Sequence, residues 1–179
     1  MDERRTVKVS KYLSKHLRHQ PGRIGIALDG AGWCRVDDLL RAAAAHRFPI
    51  TREELEHVVA VNDKKRFELD GDRIRASQGH TVPVDLDLPV TPPPATLFHG
   101  TVARALPEIR RDGLLPMARH AVHLSPDEET ATRVGARRGR PVILTVDAAG
   151  MAAAGHEFRV SANGVWLVDA VPARFLTLP

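Results

Sequence analysis

Four stretches of this 179-residue chain carry side chains that can do chemistry: Arg18-His19, Lys64-Lys65-Arg66, His99-Gly100-Thr101 and Arg119-His120-Ala121-Val122-His123-Leu124-Ser125. The arginines are suited to planar, bidentate contacts with phosphate. Three guanidiniums (Arg18, Arg66, Arg119) and one imidazole (His19) form a set that fits a phosphate changing its charge or geometry. Singly, each stretch has a plainer reading. An exposed Lys-Lys-Arg run is commonly a solvated loop, a lone His is more often a satisfied structural residue, and Asn163-Gly164 is most simply a turn. Read as a strand, residues 119 to 125 put Arg119, Ala121, His123 and Ser125 on one face and His120, Val122 and Leu124 on the other. One face is polar enough for an anion or a sugar, and the other can pack. Gly100, beside His99, lets another backbone come close.

The elements that must position these residues follow from periodicity. Val9, Tyr12, Leu13, His16 and Leu17 recur at helical spacing over residues 7 to 19. Lys8, Lys11, Lys15 and Arg18 form a second, basic stripe, read either as a solvated face or as a face for phosphates. Pro21-Gly22 ends that helix, and Gly30 and Gly32 mark a turn before Trp33. Val36 to His46 is a second helix, with Asp37 and Asp38 in its first turn. Thr51-Arg52-Glu53-Glu54 has the form of a capping box, so a third helix runs from Arg52 to Val61. Residues 66 to 76 read as a hairpin around Asp70-Gly71. Three helices and then a hairpin is the order of a winged helix.

Pro83, Pro89 and Pro92-Pro93-Pro94 make the next stretch a stiff, extended connector. The domains expected are therefore 1–80, a Pro-rich linker at 81–96, and 97–179. In the last of these, strands are expected at Leu97 to Thr101, Arg119 to Ser125, Pro141 to Val146, Glu157 to Val160, Gly164 to Val168 and Phe175 to Leu178. Helices are expected at Arg104 to Arg111 and at Pro126 to Arg138, the latter with Ser125 as its N-cap and free N–H groups for an anion. Short strands mixed with two helices indicate an α+β fold rather than a doubly wound parallel sheet.

Composition narrows the function classes. Lys and Arg number 26 against 22 Asp and Glu, a net charge of +4 that favours an anionic partner, nucleic acid before membrane. A single cysteine, Cys34, excludes an internal disulfide and, with no Cys-x-x-Cys or His-Glu-x-x-His, leaves no metal site. No Gly-x-Gly-x-x-Gly or Walker loop occurs, and no apolar run is long enough for a signal peptide or a membrane span. A cytoplasmic monomer is the expectation.

In order along the chain, several blocks resemble the RNA 2′-phosphotransferase family. They are Ser10-Lys11-Tyr12-Leu13-Ser14-Lys15-His16-Leu17-Arg18-His19, Asn62-Asp63-Lys64-Lys65-Arg66-Phe67, Gln78-Gly79-His80 and Phe98-His99-Gly100-Thr101. The series continues with Gly113-Leu114-Leu115-Pro116-Met117 through Arg119, then His123-Leu124-Ser125 and Asn163-Gly164-Val165-Trp166-Leu167. The resemblance implies an N-terminal winged-helix RNA lobe and a C-terminal lobe with the ADP-ribosyltransferase fold. It implies NAD⁺ as a consumed co-substrate and removal of an internal RNA 2′-phosphate through a 2′-phospho-ADP-ribosylated RNA. The products would be 2′-OH RNA, ADP-ribose 1″,2″-cyclic phosphate and nicotinamide. The family's catalytic set carries over to Arg18, His19, Arg66 and Arg119. Its dinucleotide contacts carry over to His99, Gly100, Thr101, His123, Leu124, Ser125, Asn163 and Val165, where protein-modifying relatives often have Glu at the last position. Lys11, Lys15, Lys64 and Lys65 are the expected RNA-phosphate contacts. Thr81 stands where the family pattern has Ser, a change that keeps the hydroxyl. The competing readings are an ADP-ribosyltransferase that leaves ADP-ribose on a nucleic-acid end or a protein, and a nucleic-acid binder without catalysis.

Overall fold

Asp2 caps the first helix, α1 (Glu3–Arg18), by accepting from Arg5 N at 2.7 Å. Its apolar stripe buries Val9, Leu13 and Leu17 completely, so the face expected from spacing is the packed one. The second helix, α2 (Val36–Ala45), buries Val36, Leu39 and Ala43. The third, α3 (Arg52–Val61), starts with a complete capping box: Glu54 N donates to Thr51 Oγ1 at 3.1 Å, and Thr51 N donates to Glu54 Oε1 at 3.2 Å. These helices close over a three-stranded antiparallel sheet of β1 (Cys34–Arg35), β2 (Phe67–Asp70) and β3 (Arg73–Ala76), in the order β1-β3-β2. The β2–β3 hairpin turns at Gly71, whose φ of +62° suits glycine.

The computed structural model describes residues 1–62, 64–117 and 120–179, and divides the chain into two compact units, Met1–Asp87 and Leu88–Pro179. The described residues form a mixed α/β structure of six α-helices and small antiparallel sheets. Each unit has its own hydrophobic core. The Pro-rich stretch is bonded to both units in turn. Thr81 N donates to Arg18 O and Asp85 N to Gly30 O in the first unit; Thr91 N donates to Phe158 O and Ala149 N to Ala95 O in the second. Arg75, only 8% exposed, fastens the end of the first unit, donating to Glu68 at 2.7 Å, Ala31 O at 3.1 Å and Leu86 O at 3.2 Å.

The second unit is built on β4 (Thr96–Thr101), paired antiparallel with β6 (Val142–Asp147), which also pairs with β9 (Leu176–Thr177). A second sheet runs β5 (Val122–Leu124), β8 (Trp166–Val168), β7 (Arg159–Val160). A bridge between Phe98 and Ser125 joins them. Leu97, Leu144 and Val146 of the first sheet share one core with Val122, Leu124 and Val168 of the second. Helix α5 (Glu128–Ala136) lies on β4 so closely that a Cβ on Gly100 would sit 1.8 Å from Ala131 O.

Four sequence expectations shift. Helix α5 begins two residues late: its N-cap is Asp127, not Ser125, because Ser125 is held extended by mutual backbone bonds with Phe98. The helix expected at Arg104 to Arg111 is α4 (Leu106–Asp112), preceded by a 3-10 turn at Ala103–Ala105; Pro107 lacks an N–H and belongs in the first turn. Helix α6 (Ala148–Ala153), capped by Asp147, was not expected. The 119–125 strand is realised as Val122–Leu124, and Arg119 lies outside the described residues.

Candidate active site

In the first unit, helix α1 ends at Arg18, and His19 is its C-cap. Residues 77 to 82 hold this end in place. Thr81 N donates to Arg18 O at 2.9 Å, and Val82 N reaches the same oxygen at 3.4 Å. Thr81 Oγ1 lies 3.0 Å from His19 Nδ1, so this hydroxyl helps to orient the ring. The same segment holds Arg66. Ser77 N donates to Arg66 O at 2.8 Å, and Ser77 Oγ donates to Lys65 O at 2.8 Å. Ser77 and Thr81 are four residues apart, so the Arg66 and Arg18 backbones are tied to points no more than ~14 Å apart. Gly79, at φ +88°, makes the bend between them, in a conformation that suits glycine.

The loop that presents Arg66 is fixed from its other side as well. Asn62 Oδ1 accepts from Arg66 N at 3.2 Å, and Asn62 Nδ2 donates to Ser10 Oγ of α1 at 3.4 Å. Lys65 sits at φ +44°, in the left-handed region that disfavours a lysine by about 1–2 kcal/mol. Such strain persists where surrounding bonds over-determine the backbone, and it is common at functional sites. Arg18 and Arg66 are half-buried, while His19, Lys64 and Lys65 are exposed. Lys11 and Lys15 are exposed on α1 and form no ion pair among the described residues. Thus Arg18, His19 and Arg66 are brought to one edge of the first unit.

In the second unit, His99 on β4 donates Nδ1–H to His123 O at 3.2 Å. The acceptor is a carbonyl, so the proton is on Nδ1 and Nε2 keeps a lone pair. Burial pushes the His99 pKa below its ordinary value, with nearby Arg138 acting in the same direction, so the ring is held neutral. His123 pairs with Leu167, and Leu124 with Trp166. Strand alternation then puts His123 and Leu167 on one face, and the buried Val122, Leu124 and Val168 on the other. The face division expected for residues 122 to 124 is the one observed. Asn163 and Gly164 form the β7–β8 turn: Gly164 N donates to Ser161 O, and Asn163 Oδ1 bonds Ser161 Oγ. Ser161 also fixes Val165 at both backbone groups.

Gly100 and Thr101 have a different place from the one their types suggested. The backbone that comes close to Gly100 is that of α5, and Thr101 is 1% exposed. The start of α5 is also unlike the expected anion site. Asp127 Oδ1 already accepts Thr130 N at 2.7 Å, and Glu128 and Glu129 follow in the first turn. Three carboxylates there repel a diphosphate. The polar side chains that β4 and β5 offer in this unit are His99, His123 and, just past β5, the half-buried Ser125 hydroxyl. Among the described residues no cluster of three His, Cys, Asp or Glu is placed to hold a metal ion. Nor is any helix long and apolar enough to cross a membrane.

Sequence reasoning noted Thr81 only as a departure from a pattern and passed over Ser77 and the side-chain role of Asn62. Their polar types in a loop were a signal too general to use, because their partners are distant in the chain. Comparison with known proteins gives the set a context. A sequence model of the RNA 2'-phosphotransferase, Tpt1 / KptA family matches residues 4–170. A protein of Streptomyces griseus subsp. griseus named probable RNA 2'-phosphotransferase is 70% identical over 187 residues, covering 99% of both chains. Proteins of the same name from Streptomyces coelicolor and Burkholderia pseudomallei are 68% and 56% identical. The first covers 100% of this chain and 98% of its own, the second 96% and 95%.

Proposed function

The chain belongs to the RNA 2'-phosphotransferase, Tpt1 / KptA family, and from that premise we propose that it removes an internal 2′-phosphate from RNA with NAD⁺ as consumed co-substrate. The observation that carries this reading is the fastening of Arg18, His19 and Arg66 to one short segment, Ser77 to Val82, within a single unit. Two guanidiniums and an oriented imidazole suit a phosphoryl group far better than a neutral ligand. Arg119 completes the set in the proposal.

NAD⁺ supplies an electrophilic ribose carbon, C1″, with nicotinamide as leaving group. The attacking group is a 2′-phosphate oxygen, already anionic, so the chain needs no general base. An apolar Val165 where a carboxylate would serve a protein acceptor is consistent with this. Neutral His99 and Ser125 orient the ribose by hydrogen bonds. In the second step the ribose 2″-oxygen attacks phosphorus and the RNA 2′-oxygen departs, taking up a proton. Charge gathers on the phosphoryl oxygens, where Arg18, Arg66 and Arg119 stabilise it; losing one such donor costs ~10²–10³ in rate. His19, its Nδ1 engaged by Thr81, binds the phosphate or carries the proton through Nε2.

The test is an oligonucleotide with one internal 2′-phosphate, incubated with and without NAD⁺. The proposal expects one nicotinamide released per phosphate removed, with 2′-OH RNA and ADP-ribose 1″,2″-cyclic phosphate as products. Inorganic phosphate release without NAD⁺ refutes it. Stable ADP-ribose on the RNA or on a protein supports the transferase alternative instead.

A further inference from the structure

The second unit carries a cluster of arginines that the proposed chemistry does not use. Helix α5 ends at Ala136, and Arg137 is its C-cap. Arg133 lies one turn earlier on the same face; Arg138 and Arg140 follow in the turn towards β6. Arg104 joins them from the 3-10 turn after β4, donating Nη2 to Arg138 O at 3.2 Å. All five are exposed, except that Arg104 and Arg133 each hold one neutral oxygen, and none forms an ion pair among the described residues. Glu108 and Glu129, one turn from Arg104 and Arg133, are likewise unpaired with them. Between Thr130 and Val146 there are four arginines and no acidic residue. By contrast, Arg5, Arg35, Arg41, Arg52, Arg73 and Arg75 all face carboxylates, and the arginines elsewhere that do not, such as Arg4, Arg23 and Arg47, are not grouped in this way.

A cation or two at a helix C-terminus is favoured by the helix dipole, which explains Arg133 and Arg137 singly. It does not explain Arg104 and Arg140, which lie outside the last turn. Like charges one turn apart also disfavour the helix. Five unneutralised guanidiniums in one place are stabilised by a polyanion. Exposed side chains at a helix end and two turns suit an extended strand better than a compact ligand, which needs a concave site. Val134 is the exposed large apolar residue beside it, 40% accessible, too little to anchor the patch on a bilayer.

We propose that this cluster, Arg104, Arg133, Arg137, Arg138 and Arg140, binds the phosphodiester backbone of RNA outside the phosphate being removed. The proposal rests on the reading of the substrate as RNA, but its test does not require turnover. Measure binding of a single-stranded RNA without any 2′-phosphate across a salt series, for the full chain and for Arg133→Gln/Arg137→Gln/Arg140→Gln. Each lost backbone contact removes ~0.7 from the slope of log affinity against log salt, so three lower it by ~2 and weaken binding up to ~100-fold at 0.1 M salt. With a long 2′-phosphorylated RNA the variant should raise the RNA KM and leave kcat and the NAD⁺ KM unchanged; with a trinucleotide it should behave as the parent does. An unchanged salt slope overturns the proposal. So does a raised NAD⁺ KM with normal RNA binding, which would assign the cluster to the dinucleotide. If neither protein removes a 2′-phosphate but the slope still falls by ~2, the proposed reaction fails and the RNA surface stands.

Discussion

Replacing Thr81 by Val tests how the site orients its imidazole. Valine keeps the branched shape and removes only the hydroxyl 3.0 Å from His19 Nδ1. The backbone bond from residue 81 to Arg18 O remains, so the end of α1 stays anchored. One hydrogen bond of this kind contributes about 0.5–1.5 kcal/mol, which corresponds to a ~2- to 12-fold loss if the whole of it is felt at the barrier. Both side chains are exposed, so folding stability should change by no more than about 0.5 kcal/mol. The assay is single-turnover removal of the 2′-phosphate at saturating NAD⁺, with nicotinamide release followed in parallel. Thr81→Ser should retain the parent rate, because it restores the hydroxyl. Nitrogen chemical shifts of the His19 ring should move in the Val variant and not in the Ser variant. A Val variant at full rate, or a Ser variant as slow as Val, refutes the orienting role.

Gly100→Ala should destabilise the second unit by about 3 kcal/mol, the upper end of overpacking costs, because the new Cβ meets the α5 backbone and not a movable side chain. Chemical denaturation measures it, and a loss below about 1 kcal/mol would show that α5 can move off β4 freely. The Glu54 carboxyl is held below its ordinary value of 4.5 by its bond to the Arg5 guanidinium, with help from Thr51. Its folded pKa is therefore below its unfolded one, and the stability it contributes is present above 4.5 and lost as pH falls through the folded value. Arg5→Gln should be less stable than the parent near neutral pH, and the gap should close below pH 4.5; a gap that stays constant down to acid contradicts this.

What could be read beforehand was what is local. The capping box at Thr51 to Glu54 and the Asp70-Gly71 turn involve residues a few positions apart, and both formed as expected. Helix α6 was missed because Ala148-Ala149-Gly150-Met151-Ala152-Ala153 has no polar face to reveal a helical period; its only signal is Asp147, which serves as the last residue of β6 and as the cap. The start of α5 was misplaced for a non-local reason. Ser125 is a good cap by type, but Phe98, distant in sequence, claims its backbone. The site divides the same way. Arg18, His19 and Arg66 were visible as residue types, whereas the segment Ser77 to Val82 that holds all three was not, since its bonds to Arg18 and His19 reach across more than sixty positions. Gly100 was recognised as a place of close approach, and only packing could say that the approaching backbone is a helix of the same chain.

The central claim is that arginines remote in sequence act on one phosphoryl group. Alanine at Arg18, at Arg66 and at both, compared in single-turnover 2′-phosphate removal, tests it most directly. Each single change should cost ~10²–10³, and Arg119→Ala, made separately, should accumulate 2′-phospho-ADP-ribosylated RNA while still releasing nicotinamide. The double variant should lose far less than the product of the two, as residues acting as a unit do. Losses that multiply fully, or either single variant at the parent rate, would mean the guanidiniums do not share a phosphate.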